Sequence, residues 1–471
     1  MHSLSAVAGM HLAPAAPGFF SSVDVRVCVS AVKFEGGAIL RDDFPLYLYN
    51  PLERSVMMKR IFAFVIAALL LESASAQKTN EQLGGVYYAY PQDAVPADTP
   101  PPTGFRAFYI SHYGRHGSRW LPNDNRYMWV NSQFADKSTL TPLGRRVRKK
   151  LQRVWKNARG NGGQLTSLGE AQHRGLAARM QHRYPEIFQA GTQLSAWASV
   201  VNRCRASMRA FCGEMERSLT LGSHHPTAVL QRSDSADMKW IAFSSDEQRQ
   251  LETRVRPRCE ATSARLMASL FRHPASISEP DRLMSELFTI ASDMQDVPLP
   301  VNLYDIFTHE EMHALYEQNN RRMWICNGLS AENDAVPQRS AVSLWQHIEQ
   351  RADEVIARGG TGADLRFGHD TQLYRLLSLL GIDQLSSEHP DQMDLIVPMA
   401  ANLQMVFYTD GQRVLVKFLH NEREVRLTGL SVATGCAPLS PYYEWSAVKR
   451  HVRERIAHAM QQRRQAGQTA A

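Results

Sequence analysis

The sequence predicts an α/β protein built on a mostly parallel central sheet flanked by helices. Three apolar runs, at residues 105–110, 192–200 and 364–368, have the length and residue types of buried strands. The first run ends in a glycine-punctuated loop, and helical periodicity begins at residue 142, whereas the second and third runs lead through short polar segments into predicted helices. Strands that alternate with helices in this way are typical of a parallel sheet.

The first 76 residues are predicted to lie outside the folded protein. Met58-Lys59-Arg60 is a short basic start, an apolar run follows at 61–71, and Ala74-Ser75-Ala76 has the small residues of a signal-peptide cleavage site. The apolar run is shorter than the roughly 20 residues that a membrane-spanning helix needs. We therefore predict a signal peptide at 58–76, cleavage near Ala76, export to the periplasm or the medium, and no stable membrane anchor. Residues 1–57 are then expected to be an upstream extension of the reading frame, or alternatively a disordered leader.

The chain beyond residue 76 is basic and 395 residues long, enough for one large α/β core with an inserted lobe or for two to three smaller domains. The first 76 residues hold six basic and six acidic side chains, so the net charge of +7 is unchanged without them. A basic surplus favours acidic partners. Nucleic acid is disfavoured, because no zinc-finger spacing, RNA-binding signature or long basic tail is present. Five irregularly spaced cysteines remain, which allow at most two disulfides and form no metal-binding pattern.

Helical patterns fill the sequence between the first strands. Thr141 before Pro142 is typical of a helix start, and this helix is predicted to reach about residue 158. Ser167 resembles the cap of a second helix that reaches about residue 184, and Asn202 is predicted to cap a third that reaches about residue 219. The first helix carries a run of basic residues that form either a solvated face or a surface that steers an anionic substrate: Arg145, Arg146, Arg148, Lys149, Lys150 and Arg153.

Residues 234–335 differ in composition from the rest of the chain. They are rich in Ser, Asp, Glu, Arg and Met, with helical periodicity and little strand pattern, so we predict an inserted helical lobe. The α/β core is accordingly predicted at residues 77–233 and 336–471. Its second part is expected to hold helices over 342–356, 371–380 and 443–462, and a β-hairpin with strands 402–409 and 413–419 joined across Asp410-Gly411.

The segment after the first strand carries residues suited to phosphate chemistry. It reads Arg115-His116-Gly117-Ser118-Arg119, a histidine between two arginines. Guanidinium groups bind phosphate oxygens through paired hydrogen bonds, and an imidazole between them can attack the phosphorus that they hold. Gly117 would let the backbone approach such a ligand closely. The alternative is two solvated arginines beside a buried histidine.

Two further segments could complete a site for phosphate-ester hydrolysis. Arg203 is predicted in the first turn of a helix, where backbone N–H groups attract anions. His369 and Asp370 follow the strand at 364–368. The reaction needs an unprotonated nucleophile, cations for the phosphoryl oxygens, an in-line approach and an acid for the leaving alkoxide. Because ligands of open α/β sheets bind at the carboxyl ends of the strands, we expect these segments to meet there, with a bound dianion keeping Asp370 protonated.

These motifs, in this order, resemble the histidine acid phosphatase family (histidine phosphatase clade 2), and in particular its bacterial multiple inositol-polyphosphate phosphatase and phytase-like members. The resemblance spans roughly residues 105–430. Between and after the two main motifs it includes 165–169, Arg179, 183–185, 203–208 and 398–403. The chain departs from the common pattern at four positions, with Leu121 for proline, Trp197 for arginine, Gln372 for asparagine, and His369-Asp370 where the inositol-phosphatase branch often has His-Ala-Glu.

The resemblance implies an α/β core with a helical lobe over the active-site side, and a role for each site residue. His116 is implied to be the phosphorylated nucleophile and Asp370 the proton donor. The phosphate-binding residues are implied to be Arg115, Arg119, Arg203 and His369, and the further candidate substrate contacts are Thr371, Gln372 and Lys149. No metal or other cofactor is expected. The expected partner is an anionic phosphorylated small molecule, either phytate or another inositol polyphosphate, with a broad-specificity acid phosphatase or a sugar phosphatase as the alternative.

Other classes of function stay open at this stage. His309-Glu310-Glu311-Met312-His313 matches a zinc-protease pattern, and Glu332 lies where some zinc proteases carry a third ligand. The same segment is also typical of a solvated helix capped by Thr308. A non-catalytic anion-binding protein could use the same arginines without needing His116. A phosphomutase of the wider superfamily is disfavoured by the predicted export signal.

Overall fold

The computed structural model describes residues 78–91, 95–189, 192–221, 229–232, 246–255, 262–385, 392–438 and 440–469. The predicted signal peptide, the segment before it and Cys259 lie outside these residues. Lys78–Ala471 forms one compact unit.

A mixed sheet lies at the centre of this unit. Its strands are β1 (Arg106–Arg115), β2 (Gln193–Ala198), β3 (Val229–Arg232), β4 (Gly362–Gly368), β5 (Asn402–Thr409), β6 (Val414–His420), β7 (Arg423–Val425) and β8 (Tyr442–Glu444). The order is β3-β2-β4-β1-β5-β6-β7, and β8 also pairs with β6. The first four strands in this order are parallel, whereas every pairing from β1–β5 onward is antiparallel.

The prediction of a mostly parallel sheet is therefore wrong, although the α/β class is confirmed. The predicted hairpin is present as β5 and β6, and Gly411 in its turn has the left-handed φ of +95° that glycine favours. This hairpin adds beside β1 in the reverse direction, and β7 and β8 then extend the antiparallel half. Strands of three residues, such as β7 and β8, are too short to give a sequence period.

Most of the remaining regular structure is helical. The α-helices are α1 (Asn80–Leu83), α2 (Asp124–Gln133), α3 (Pro142–Ala158), α4 (Ser167–Arg183), α5 (Asn202–Leu221), α6 (Asp246–Arg254), α7 (Ala264–Leu270), α8 (Pro280–Asp293), α9 (His309–Asn327), α10 (Val336–Ser340), α11 (Val342–Ala357), α12 (Asp370–Leu380), α13 (Met393–Ile396) and α14 (Trp445–Thr469). Short 3₁₀ helices lie at Gly85–Tyr87, Lys137–Thr139, Pro274–Ser276, Tyr304–Ile306, Ala331–Asn333 and Asp383–Leu385.

Helices cover both faces of the sheet. Along β1, Tyr109 and Tyr113 pack into a cluster with α11, α12 and α14, whereas Ile110 packs with α4 and α5 on the opposite face. This alternation is the period of two expected of a strand buried on both sides. A third apolar cluster is helical and joins α2 and α3 to α7, α8 and α9. In the described part of residues 234–335, all regular structure is helical, and the domain bounds given above stay a prediction.

Several element boundaries differ from the sequence-based expectation. Strand β1 continues to Arg115 instead of ending near residue 110, because residues 111–115, which include the polar Ser111, His112 and Arg115, are buried and pair with the neighbouring strands. Thr141 caps α3 as predicted, by accepting from the Gly144 N–H. Thr166, one residue before the predicted cap, accepts from Gly169 N–H and starts α4.

Several basic side chains of α3 contact neighbouring segments of the protein, so they are neither fully solvated nor all available to a ligand. Arg145 donates to the carbonyl of Leu140 at 2.8 Å, Arg148 donates to the carbonyl of Phe134 at 2.8 Å, and Lys150 forms a 2.6 Å ion pair with Asp305. These side chains therefore attach α3 to the segments around it. Within the described ranges, no helix has the length and apolar character required to cross a membrane.

Candidate active site

The carboxyl ends of three parallel strands bring the predicted site residues together. In the register of the sheet, Arg115 of β1 is opposite Gly368 of β4, and Ala198 of β2 is opposite Phe367. The N–H of His116 donates to the Gly368 carbonyl at 2.9 Å, which locks the end of β1 to the end of β4. The segments that follow these strands therefore start at one edge of the sheet and carry His116, Arg203, His369 and Asp370. We call this arrangement, together with Arg115 and Arg119, the phosphate cup.

His116 has the protonation state that a nucleophile requires. Its Nδ1 lies 2.9 Å from the carbonyl oxygen of Gly117, and because a carbonyl oxygen can only accept, Nδ1 carries the proton and Nε2 keeps its lone pair. The ring is buried, which lowers its pKa well below the ordinary value, and the charges of Arg203, Arg115 and Arg119 lower the pKa further. His116 is thus neutral at neutral and mildly acidic pH.

Arg115 and Asp370 are held next to each other. Nη1 of Arg115 donates to the carbonyls of Val86 and Val397 at 2.7 and 2.8 Å, and Nη2 lies 3.1 Å from Oδ2 of Asp370. The other carboxylate oxygen of Asp370 accepts the Thr371 N–H at 2.8 Å. Burial acts to raise the pKa of Asp370, but Arg115, His369 and the Thr371 amide outweigh it, so the pKa lies below its usual value. Asp370 is therefore a carboxylate in the ligand-free protein.

His369 and Arg203 form the opposite wall of the cup. The rings of His369 and His116 are 5.8 Å apart, centroid to centroid. Nδ1 of His369 lies 3.5 Å from Nη2 of Arg203, and its Nε2 lies 3.2 Å from the hydroxyl of Ser199. Burial and the nearby Arg203 lower the pKa of His369 to about 4, so this ring is neutral near pH 7. As a neutral imidazole it can donate one hydrogen bond to an anion.

Arg119 completes the cup from the side of the helical cluster. Its Nη1 donates to the carbonyl of Trp120 at 3.1 Å and lies 3.4 Å from Oδ1 of Asp293. Its guanidinium carbon lies 5.2 Å from the centre of the Tyr87 ring, within the range of a cation–π interaction. The side chain is 7% exposed, so its charge is kept largely out of water.

Gly117 is required for a reason that differs from the prediction. A Cβ at this position would lie 2.5 Å from the Gly169 carbonyl oxygen, and a Cβ at Gly169 would lie 2.2 Å from the Ser118 carbonyl oxygen. The absence of both side chains lets the start of α4 pack directly on the loop. The glycine thus permits close approach of a helix, and close approach of a ligand stays a prediction.

The other candidate substrate contacts lie in different surroundings. Thr371 is half-buried in the first turn of α12, and Gln372 beside it is buried. Lys149 is exposed on α3, and no described contact joins it to the phosphate cup. Their part in substrate binding stays a prediction.

Sequence reasoning missed several residues that hold the cup in place. The hydroxyl of Ser207 accepts the Gly117 N–H at 3.1 Å, and the hydroxyl of Tyr113 accepts the His369 N–H at 3.2 Å. Ser207 lies one helical turn after Arg203 on the same face of α5, which is a signal that could have identified it. Asp293 and Asp296 belong to the α8 region, and nothing in the local sequence connects them to β1.

The segment from His309 to His313 has the structure of a capped helix start. Thr308 accepts the Glu311 N–H at 3.2 Å, and the Glu311 side chain accepts the Thr308 N–H at 3.0 Å, which forms a capping box. Glu332 lies 3.8 Å from Arg321, with which it forms an ion pair. No group of three or more potential metal ligands occurs among the residues the structure describes. Of the cysteines, Cys204, Cys212, Cys326 and Cys436 are free thiols.

The site contains a histidine among three arginines at the carboxyl edge of an α/β sheet, with a second histidine and an aspartate beside it. The resemblance to histidine acid phosphatases implies this arrangement. The sequence is 24% identical over 290 residues to multiple inositol polyphosphate phosphatase 1 of Gallus gallus, an alignment that covers 55% of this chain. The chain spans only 64% of the length of that relative. No protein-family model matches the chain.

Solved structures share the fold. A multiple inositol polyphosphate phosphatase from Bifidobacterium longum, crystallised with inositol hexasulfate, superposes with a TM-score of 0.63 at 17% identity, covering 78% of this chain and 97% of the other. The phytase from D. castellii superposes with a TM-score of 0.58 at 16% identity, covering 80% and 85%. The resemblance to the histidine acid phosphatases is therefore confirmed.

Proposed function

We propose that this protein hydrolyses phosphate monoesters through a phosphohistidine formed on His116. The observation that supports this most strongly is the Nδ1–H to Gly117 hydrogen bond, which leaves Nε2 unprotonated beside Arg115, Arg119 and Arg203. A site that only bound anions would gain more from a protonated imidazole than from a neutral one. A neutral imidazole among fixed cations suits a nucleophile instead.

The proposed reaction has two steps. In the first, Nε2 of His116 forms a bond to phosphorus while the ester P–O bond breaks, and Asp370 gives its proton to the leaving alkoxide. In the second, the oxygen of water forms a bond to phosphorus while the bond from phosphorus to Nε2 breaks and returns its electron pair to the His116 ring; the carboxylate of Asp370 takes a proton from that water, and phosphate is released. The guanidinium groups neutralise the phosphoryl oxygens in both steps.

Asp370 must gain a proton before it can act as an acid. Its pKa is low in the free protein because Arg115 is 3.1 Å away, among other groups. A substrate dianion that enters the cup takes up the charge of Arg115 and repels the carboxylate, and both effects raise the pKa of Asp370. The protonated form is therefore created by substrate binding, and acidic solution favours it.

We propose an inositol polyphosphate such as phytate as the substrate. The sequence relative is a multiple inositol polyphosphate phosphatase, and a protein of the same fold was crystallised with inositol hexasulfate. The net charge of +7 favours a substrate with several negative charges. We also propose that the protein is exported after cleavage near Ala76. A mature N-terminus located well before Gln77, measured by N-terminal sequencing, would contradict this route of export.

The test is a phosphate-release panel of phytate, glucose 1-phosphate and an aryl phosphate, each with and without EDTA. We expect hydrolysis that EDTA does not inhibit, fastest on phytate. His116→Ala should abolish turnover and retain binding of inorganic phosphate, whereas His273→Ala, which changes an exposed histidine, should be fully active. Full activity of His116→Ala would exclude the covalent route, and loss of phosphate release on chelation with recovery on zinc would contradict a metal-free reaction.

A further inference from the structure

Two buried carboxyl groups lie directly behind the phosphate cup. Asp293 ends α8 and Asp296 follows three residues later, and both residues are 0% exposed. The backbone N–H of Asp296 donates to the carbonyl of Asp293 at 3.0 Å, so the two residues share one tight turn. The reaction proposed above does not use either carboxyl group.

Each carboxyl group contacts one of two consecutive residues of the cup loop. Oδ1 of Asp293 lies 3.4 Å from Nη1 of Arg119, and Oδ1 of Asp296 accepts the Ser118 hydroxyl at 2.6 Å. The hydroxyl of Tyr127 donates to Oδ2 of Asp293 at 2.9 Å. Oδ2 of Asp296 is buried and has no hydrogen-bond partner among the described residues. A carboxylate with an unpartnered oxygen is costly to bury, whereas a neutral carboxylic acid costs much less.

The charges around the pair do not support two carboxylates. Arg119 is the cation in direct contact, and Arg115 and Arg126 act from a greater distance. The other titratable groups that face the pair are the phenols of Tyr127 and Tyr304, and burial raises the pKa of both. Burial raises the pKa of both carboxyl groups, and the charge of Asp293 raises that of Asp296 further. The pair therefore holds at least one proton near neutral pH, and its titration belongs to the pair rather than to either residue.

We propose that Asp293 and Asp296 are positioning residues for Arg119 and Ser118, and that protonation of this carboxyl pair sets the affinity of the cup for a tetrahedral dianion. The proposal rests on the function proposed above, since it assumes that Arg119 binds phosphate. When the pair is ionised, its charge offsets the guanidinium of Arg119 and weakens anion binding. When the pair is neutral, the whole charge of Arg119 acts on the ligand.

Inorganic sulfate is the appropriate probe, because it is a tetrahedral dianion whose charge stays constant from pH 5.5 to 8.5. In the free protein the pKa values of His116, His369 and Asp370 are all lowered. Bound sulfate raises the pKa of Asp370, as a substrate dianion does, but Asp370 contributes equally to wild type and to a variant of the carboxyl pair, so a comparison of the two isolates the pair. One additional negative charge behind Arg119 should weaken sulfate binding by about tenfold. Ionisation of the pair should therefore raise the dissociation constant of the wild-type protein about tenfold between pH 5.5 and pH 8.5, in addition to any contribution from Asp370.

The test compares wild type with the double variant Asp293→Asn/Asp296→Asn by calorimetric titration with sulfate at 0.15 M salt. Asparagine keeps one oxygen at each position, to accept from Ser118 and from Tyr127, and removes the titration, while an NH2 group replaces the Asp293 oxygen that faces Arg119. We expect the rise in the dissociation constant between pH 5.5 and pH 8.5 to be about tenfold smaller in the double variant than in wild type, with the two proteins similar at pH 5.5. The matched control Asp305→Asn, which alters an exposed carboxylate paired with Lys150, should keep the pH dependence of wild type.

Equal pH dependence in wild type and in the folded double variant would overturn the proposal. If the double variant does not fold, infrared spectroscopy of the wild type gives the answer instead. The C=O stretch of a protonated carboxyl group must be present at pH 5.5 and decrease by pH 8.5, and its absence at pH 5.5 would equally refute the proposal. Sulfate binding requires no turnover, so a protein that shows this pH dependence without phosphatase activity would refute only the proposed function.

Discussion

Replacing Asp370 with asparagine separates the two roles that the proposed mechanism gives to this side chain. The variant keeps an oxygen to accept the Thr371 N–H, which is bonded at 2.8 Å, so the start of α12 should be unchanged. It removes the acid that protonates the leaving group in the first step and the base that activates water in the second. General acid–base catalysis by one residue contributes about 10²–10⁴-fold to a rate.

The size of the effect on the first step should depend on the leaving group. An inositol alkoxide is a poor leaving group, so Asp370→Asn should slow phosphorylation of His116 by phytate about 10³-fold. A nitrophenolate needs no proton, so phosphorylation by nitrophenyl phosphate should slow by about tenfold at most. The second step has no ester group and should slow to the same extent for both substrates.

Rapid mixing with nitrophenyl phosphate measures the two steps separately. We expect the variant to release close to one equivalent of nitrophenolate per site in a fast burst, followed by slow turnover, while phytate gives no burst of product. Asp305→Asn, an exposed substitution of the same kind, should behave as wild type. If both substrates lost the same rate in the first step and no burst appeared, Asp370 would not be the proton donor.

Three further outcomes are expected. Gly117→Ala places a Cβ 2.5 Å from the Gly169 carbonyl oxygen, and the resulting shift of the loop should lower kcat by about 10²-fold. The control Gly175→Ala, in the same helix as Gly169, brings a Cβ near only the flexible end of Arg179 and should be active. His173 is buried, which lowers its pKa from 6.5 to about 3. Between pH 6.5 and pH 3 the unfolded chain therefore binds a proton that the folded protein does not, so the free energy of unfolding falls as the pH falls. His173→Phe should reduce this loss by about 1.4 kcal/mol per pH unit in urea unfolding at pH 4.5 to 6.5, and a slope equal to that of wild type would contradict the assignment. His309→Ala should leave phosphate release unchanged, since its helix start is a capping box, and a loss of activity in that variant would reopen the zinc alternative.

The parts of the fold that the sequence predicts are those with a strong local pattern. The cap residue Thr141 predicts the helix that follows it, and the Asp410-Gly411 turn predicts the β5–β6 hairpin. The direction in which that hairpin joins the sheet depends on contacts between distant residues, so the local pattern contains no information about it. The extension of β1 to Arg115 was missed for a related reason, because a polar strand is stable only when neighbouring strands bury it on both sides.

In the site, too, some features follow from local sequence patterns, whereas others depend on contacts between residues that are distant in the sequence. His116, Arg203 and His369 each follow a predicted strand, and strand ends of a parallel arrangement meet, so their proximity follows from the pattern. The carboxyl pair of Asp293 and Asp296 could not be predicted, because α8 reaches the loop only through packing of the helical cluster. The charge state of Asp370 was also beyond the sequence, since it depends on a 3.1 Å contact with Arg115.

The hydrogen bond from His116 N–H to Gly368 joins residues that lie 252 positions apart in the sequence. During synthesis, the ribosome must have produced the chain to beyond residue 368 before this bond can form. Closing so long a loop costs entropy that only the complete network of strand pairings can offset. A nascent or truncated chain that lacks β4 therefore cannot assemble the phosphate cup, and the onset of the proposed activity would report the moment at which the centre of the sheet has assembled.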